Sequence, residues 1–142
     1  MTQASTQTAA KPVRSADYLG ATGIGVSDLD HSVDFYTRVL GMTKAQTFNL
    51  AHMNEVVVSY PGRTAIVLMH FIDGSNPNYK NLPIKLVFYV TDPKAVAERI
   101  RAEGLEITRE PTPVPEFGGA MVCLAKDPDG YVIELLQAPN PK

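Results

Sequence analysis

The chain has 142 residues, 44% hydrophobic and 20% charged, with acidic residues outnumbering basic ones 15 to 13 for a net charge of −2. These proportions argue against disorder, collagen-like repetition and membrane spanning, and no basic excess exists to draw in nucleic acid. One cysteine, Cys123, allows neither an internal disulfide nor a cysteine-based zinc site.

Residues 1–16 are polar, rich in small residues and without the apolar core of a signal peptide, so a slack tail is expected. Their late Lys11 and Arg14 leave an organelle-targeting segment as the alternative. No later run approaches the roughly 20 apolar residues that cross a bilayer, and a cytoplasmic protein is expected.

Tyr18–Val26 is short and apolar and reads as a strand. Asp28 and Asp30 are N-cap candidates for a helix whose apolar face is Leu29, Val33, Tyr36 and Leu40, stopped by Gly41. Met42–Asn49, Asn54–Tyr60 and Thr64–Ile72 follow as strands, the last two joined by the turn dipeptide Pro61-Gly62. A loop runs over Asp73–Pro83.

The pattern then starts again. Ile84–Val90 is a strand, and Asp92-Pro93 places a cap before a proline at the first helical position, where its missing N–H does no harm. Val96, Ala97 and Ile100 face the second helix inward, and Gly104 stops it. Leu105–Glu110 is a strand before a loop holding Pro111, Pro113 and Pro115. Ala120–Ala125 and Tyr131–Gln137 are strands joined by the turn Asp127-Pro128-Asp129-Gly130.

Each half therefore reads strand, helix, three strands. The expected architecture is α+β: one domain over 17–138, made of two βαβββ modules (18–72 and 84–137) around a linker (73–83). A single module leaves one sheet face uncovered, so two modules should come together in a cupped, eight-stranded mixed sheet, within one chain or across a homodimer.

The run Val26-Ser27-Asp28-Leu29-Asp30, then Ser32 to Met42 (SVDFYTRVLGM), resembles the first helix of glyoxalase I. Asp127-Pro128-Asp129-Gly130-Tyr131-Val132-Ile133-Glu134-Leu135 resembles that family's closing hairpin and last strand. Over residues 18 to 137 the chain is similar to the vicinal oxygen chelate superfamily, which includes glyoxalase I, bleomycin-resistance proteins and extradiol dioxygenases. The resemblance implies the fold; fold alone does not name a reaction.

It also implies a place for a divalent ion, held by ligands from strands one, four, five and eight, that polarises a carbonyl or enediolate oxygen. Matched to those positions, this chain carries Ala21, Leu68, Lys85 and Glu134. Alanine and leucine have no ligand atom, and a protonated lysine has donors but no acceptor. Gly25 and Ile72 stand where glyoxalase I has an arginine for glutathione and an asparagine. The cup is thus expected without the glutathione-dependent isomerase and without a metal. A Ni, Zn, Mn or Fe site using His70 in a shifted register is the alternative.

Alternation assigns Ala21, Gly23 and Gly25, then Ile66, Leu68 and His70, then Lys85, Val87 and Tyr89, then Val132, Glu134 and Leu136 to the concave face. That is a mostly apolar lining with a few polar groups, suited to a small molecule. Lys85 and Glu134 are the candidate catalytic pair: the glutamate moves a proton and the lysine steadies a developing oxyanion. The bland alternative is an ion pair that only neutralises itself. Leu68, His70, Tyr89 and Phe117 are expected to touch the ligand, with Tyr79 and Glu116 as further loop contacts. A lyase, isomerase or epimerase acting by proton transfer is one reading; a drug-binding resistance protein and a metal-dependent lactoylglutathione lyase or dioxygenase are the others.

Overall fold

Two aspartates open the two helices in the same way. Asp28 accepts a hydrogen bond from the His31 amide at 3.0 Å, and Asp92 accepts one from the Ala95 amide at 3.2 Å. Helix α1 covers Leu29–Asp34 and continues through a wider π turn, Phe35–Val39, in which the Leu40 amide reaches back five residues to the Phe35 carbonyl. Helix α2 covers Pro93–Ala102, with its proline at the start as expected. Gly41 and Gly104 follow the two helices, each at φ 78°, a left-handed conformation that glycine adopts without steric cost.

The structure, a computed structural model, describes residues 15–139; the tail expected over 1–16 lies almost wholly outside them. Strands β1 (Ala21–Gly25), β2 (Thr43–Asn49), β3 (Met53–Ser59) and β4 (Ala65–Phe71) form one sheet in the order β1-β4-β3-β2. Strands β5 (Lys85–Val90), β6 (Ile107–Pro113), β7 (Met121–Lys126) and β8 (Val132–Gln137) form the second, ordered β5-β8-β7-β6. In each sheet the module's first and last strands run parallel and the other pairs antiparallel. The architecture is α+β, as the repeat implied.

Strand β6 differs from expectation. It runs on through Pro111 and Pro113, where the sequence predicts a loop. As the outer strand of its sheet it has one free edge, where a residue without an N–H leaves no ladder bond unmade.

The helix sides of both sheets share one core. Ile24, Val26, Leu68 and Val58 from the first sheet and Phe88, Ile133, Leu135 and Cys123 from the second pack with Phe35, Tyr36 and Ile100 of the helices. Burial of this set supplies the main stabilising term. Polar bonds then fix the modules to each other. The Tyr36 hydroxyl donates to buried Asp127 at 2.7 Å, the Ser27 amide to Asp129 at 3.0 Å, and the Tyr131 hydroxyl to the Gly25 carbonyl. Arg38 bridges Asp34 and Glu103 on the surface, where such pairs contribute little. No helix among the described residues is long and apolar enough to cross a membrane.

Candidate functional site

Because the helix sides are used up in the common core, the other face of each sheet is open. On the second sheet, Lys85, Val87 and Tyr89 of β5 point to this face while Phe88 points inward. Glu134 lies on β8 opposite Val87, and Val132 and Leu136 flank it on the same face. From β7, Leu124 pairs with Glu134 and Val122 with Leu136. The floor is apolar with one ion pair set into it.

That pair is Lys85 and Glu134, with Nζ 2.9 Å from Oε1. Glu134 is 7% exposed, whereas the lysine side chain is 54% exposed. The glutamate is fixed by its strand and neighbours, and the lysine reaches it on a flexible stem from open water. Val87 is 44% and Tyr89 70% exposed beside them, so the face is accessible along its β5 edge.

The first sheet departs from expectation by one residue. Ala21 pairs with Ala65 and Gly23 with Val67, just as Lys85 pairs with Val132 and Val87 with Glu134. Val67 is therefore the counterpart of Glu134, and Ala21 that of Lys85. Leu68, expected as a ligand contact on the concave face, instead packs in the helix-side core with no exposed surface. Ile66 is likewise buried in that core. The residues that share a face with Gly23 and Gly25 are Val67 and Met69; a Cβ on Gly23 would stand 3.2 Å from the Met69 sulfur.

His70 also points away from that face. Its Nδ1 donates to the Val26 carbonyl at 2.9 Å, and its ring stacks on Tyr79 with centroids 5.6 Å apart. It braces the end of β1 and the linker rather than joining Lys85 and Glu134. Tyr79 is buried, its hydroxyl accepts from the Phe71 amide at 3.0 Å, and its ring covers Gly25. A Cβ at Gly25 would stand 3.0 Å from that ring, so the space a longer side chain would occupy there is filled. Glu116 and Phe117 lie in a short 3-10 turn, Pro115–Phe117, before β7, and Phe117 is largely exposed.

The donor set does not fit a divalent ion. Of the four equivalent positions, Ala21 and Val67 carry no ligand atom and Lys85 is a cation, leaving Glu134 by itself. Among the described residues no three His, Cys, Asp or Glu side chains converge on one point. Any chemistry on this face would rest on a carboxylate and an ammonium in contact above an apolar floor. Of the charged groups on the face, Lys126 on β7 and Arg109 on β6 were not anticipated; in β6 a bulge also alters the alternation.

Known proteins share this framework. Residues 18–135 match the model of the Glyoxalase/Bleomycin resistance protein/Dioxygenase superfamily. A lactoylglutathione lyase of Salmonella typhimurium is 33% identical over 127 residues, covering 82% of this chain and 90% of that protein. A lactoylglutathione lyase of Arabidopsis thaliana is 28% identical over 123 residues, but this chain spans only 43% of its length. Among solved structures, the trypanothione-dependent glyoxalase I of Leishmania major superposes with a TM-score of 0.72 at 26% identity, covering 86% of this chain and 87% of that one. The chain belongs to the glyoxalase/bleomycin resistance protein/dioxygenase superfamily.

Proposed function

We propose that the chain binds a small, moderately apolar molecule on the open face of its second sheet, works there without a metal ion, and transfers a proton. The observation that carries this reading is the Lys85–Glu134 contact at 2.9 Å, with Ala21 and Val67 at the matching places of the first sheet. The Glu134 carboxylate takes a proton from carbon beside a carbonyl. The released electron pair moves onto the carbonyl oxygen, which the Lys85 ammonium stabilises by a charge-assisted hydrogen bond. Return of the proton from Glu134 to a neighbouring atom gives an isomer, and its return to the carbon after the planar enolate has turned over in the site gives an epimer.

Glyoxalase I relatives support the class of carbon acid. They do not extend to glutathione here, because Gly25 offers no arginine and Tyr79 fills its surroundings. We also propose a homodimer, with the open faces meeting. Among the described residues, the first sheet's open face carries Glu55, in register with Phe48 and Met69; the second carries Lys85 and Lys126 beside Glu134. Opposite charge on two apolar faces favours their meeting over either meeting itself. The proposed setting is the cytoplasm, where a buried free thiol such as Cys123 persists.

The test separates binding from chemistry. For the molecule that co-purifies with the protein, Glu134→Gln is expected to abolish turnover while leaving affinity nearly unchanged. Loss of affinity and rate in step, or wild-type binding with no turnover, would reduce the site to a binding pocket of the drug-sequestering kind.

A further inference from the structure

Arg109 stands out among the cations of the second sheet. It pairs with Leu124, which pairs with Glu134, which pairs with Val87, so the four residues form one row across β6, β7, β8 and β5 on the open face. The ladder slips between Ile107 and Arg109, leaving both Thr108 and Arg109 opposite this part of β7. The slip has a visible effect on direction. Glu110 turns to the helix side and meets Arg101 of α2 at 2.7 Å, while Arg109 is left exposed on the open side. Bulges of this kind re-aim a side chain, and they are frequent beside sites.

The other cations nearby are occupied. Lys85 holds Glu134, Lys126 lies 3.4 Å from the Gly130 carbonyl, and the arginines by the helices bond Asp34, Glu98, Glu103, Glu110 and the Arg38 carbonyl. Arg109 has no ion-pair or hydrogen-bond partner among the described residues. Two strand spacings put its Cα about 10 Å from that of Glu134, with Leu124 between them. An unengaged guanidinium and a base-ammonium pair thus face the same apolar strip from its two ends, in a chain whose net charge is negative.

Resting on the reading that this face binds a small molecule, we propose that Arg109 anchors the anionic end of the ligand, which is an apolar carboxylate. The carboxylate is held by the guanidinium, the apolar body lies over Leu124, and a carbonyl or hydroxyl at the far end meets Lys85 and Glu134. Arginine suits this place because its planar fork grips a carboxylate with two parallel bonds.

The test uses 1-naphthylacetate and its neutral analogue 1-naphthylacetamide, titrated into full-length protein labelled at the methyl groups of leucine and valine. The acid is expected to shift the Leu124 and Val87 methyl signals and to bind about tenfold more tightly than the amide. Arg109→Gln should bring the acid down to the affinity of the amide and leave the amide unchanged, and Arg109→Lys should restore part of the difference. Arg63→Gln, in the turn between β3 and β4, serves as a control of equal charge loss and should change neither. Equal binding of acid and amide by the wild type, or an unaltered acid affinity in Arg109→Gln, would overturn the role of Arg109 while leaving the binding face intact. If neither probe moved the Leu124 or Val87 signals, the binding face itself would be refuted, and the anchor with it.

Discussion

The Lys85 ammonium stands 2.9 Å from Oε1 of Glu134, joining a half-exposed cation to an almost wholly buried carboxylate. Such a pair is asymmetric: removing the lysine strands a charge in an apolar setting, whereas removing both charges strands nothing. Lys85→Met is expected to destabilise the fold by about 1–3 kcal/mol, less than a fully buried pair would lose because water still reaches the lysine. The double variant Lys85→Met with Glu134→Leu should recover most of that loss. Urea unfolding of the three proteins measures it, and a double variant less stable than Lys85→Met would contradict the placement of Glu134.

The one-residue register of β4 gives a second prediction. Leu68 packs in the core and Val67 faces outward, so Leu68→Ala should cost about 2–5 kcal/mol and Val67→Ala under about 1 kcal/mol. Val67→Glu should fold, because its side chain reaches the open face, whereas Leu68→Glu should not. Thermal melts of the four variants decide this, and the reverse order would restore Leu68 to the concave face.

Tyr36 and Asp127 hold the modules together with a bond that depends on pH. Burial raises the Asp127 carboxyl above its ordinary range, although the hydrogen bond from Tyr36 pulls the other way. A carboxyl raised in the folded state makes the fold lose stability as pH rises through that raised value. The phenol offsets part of this loss, because it donates to the carboxylate form. Tyr36→Phe is therefore expected to cost about 1–3 kcal/mol at pH 7, and the difference from wild type should shrink as the pH falls and Asp127 protonates. Urea unfolding at neutral and acidic pH checks the trend, and a difference that grew on acidification would sink it.

Gly25 and Tyr79 are coupled by contact. An alanine at position 25 would press its Cβ to 3.0 Å from the tyrosine ring, at a cost of about 1–3 kcal/mol. In a Tyr79→Ala background the same change should cost much less, as a double-mutant cycle would reveal. Equal cost in both backgrounds would mean that the ring does not fill this space.

Much of this was legible because polar residues mark the faces of the second module. Lys85 and Glu134 interrupt apolar runs and so declare which side is outward, and the repeat of Asp cap and Gly stop locates both helices. Strand β4 carries no such mark. Ala65-Ile66-Val67-Leu68-Met69 is apolar throughout, so alternation cannot say which set faces the helix, and only pairing with β1 resolves it. His70 misled for the same reason, since it looks like the polar member of an outward set yet bends to the Val26 carbonyl. Arg109 was hidden by the slip in β6, which breaks period-two counting at the place where the arginine turns outward. The continuation of that strand through two prolines was hidden as well, because its position at the sheet edge is a tertiary fact.

The Lys85 ammonium holds a place that the family resemblance implies for a divalent ion, and we propose that the site functions in that state. Native mass spectrometry of protein purified without chelator tests it most directly, since metal, ligand and copy number are read from one mass. The expected result is a dimer without stoichiometric Ni, Zn, Mn or Fe, whose mass is unaltered by subsequent chelation. A stoichiometric ion in each chain, lost together with activity on chelation and restored with it, would contradict it.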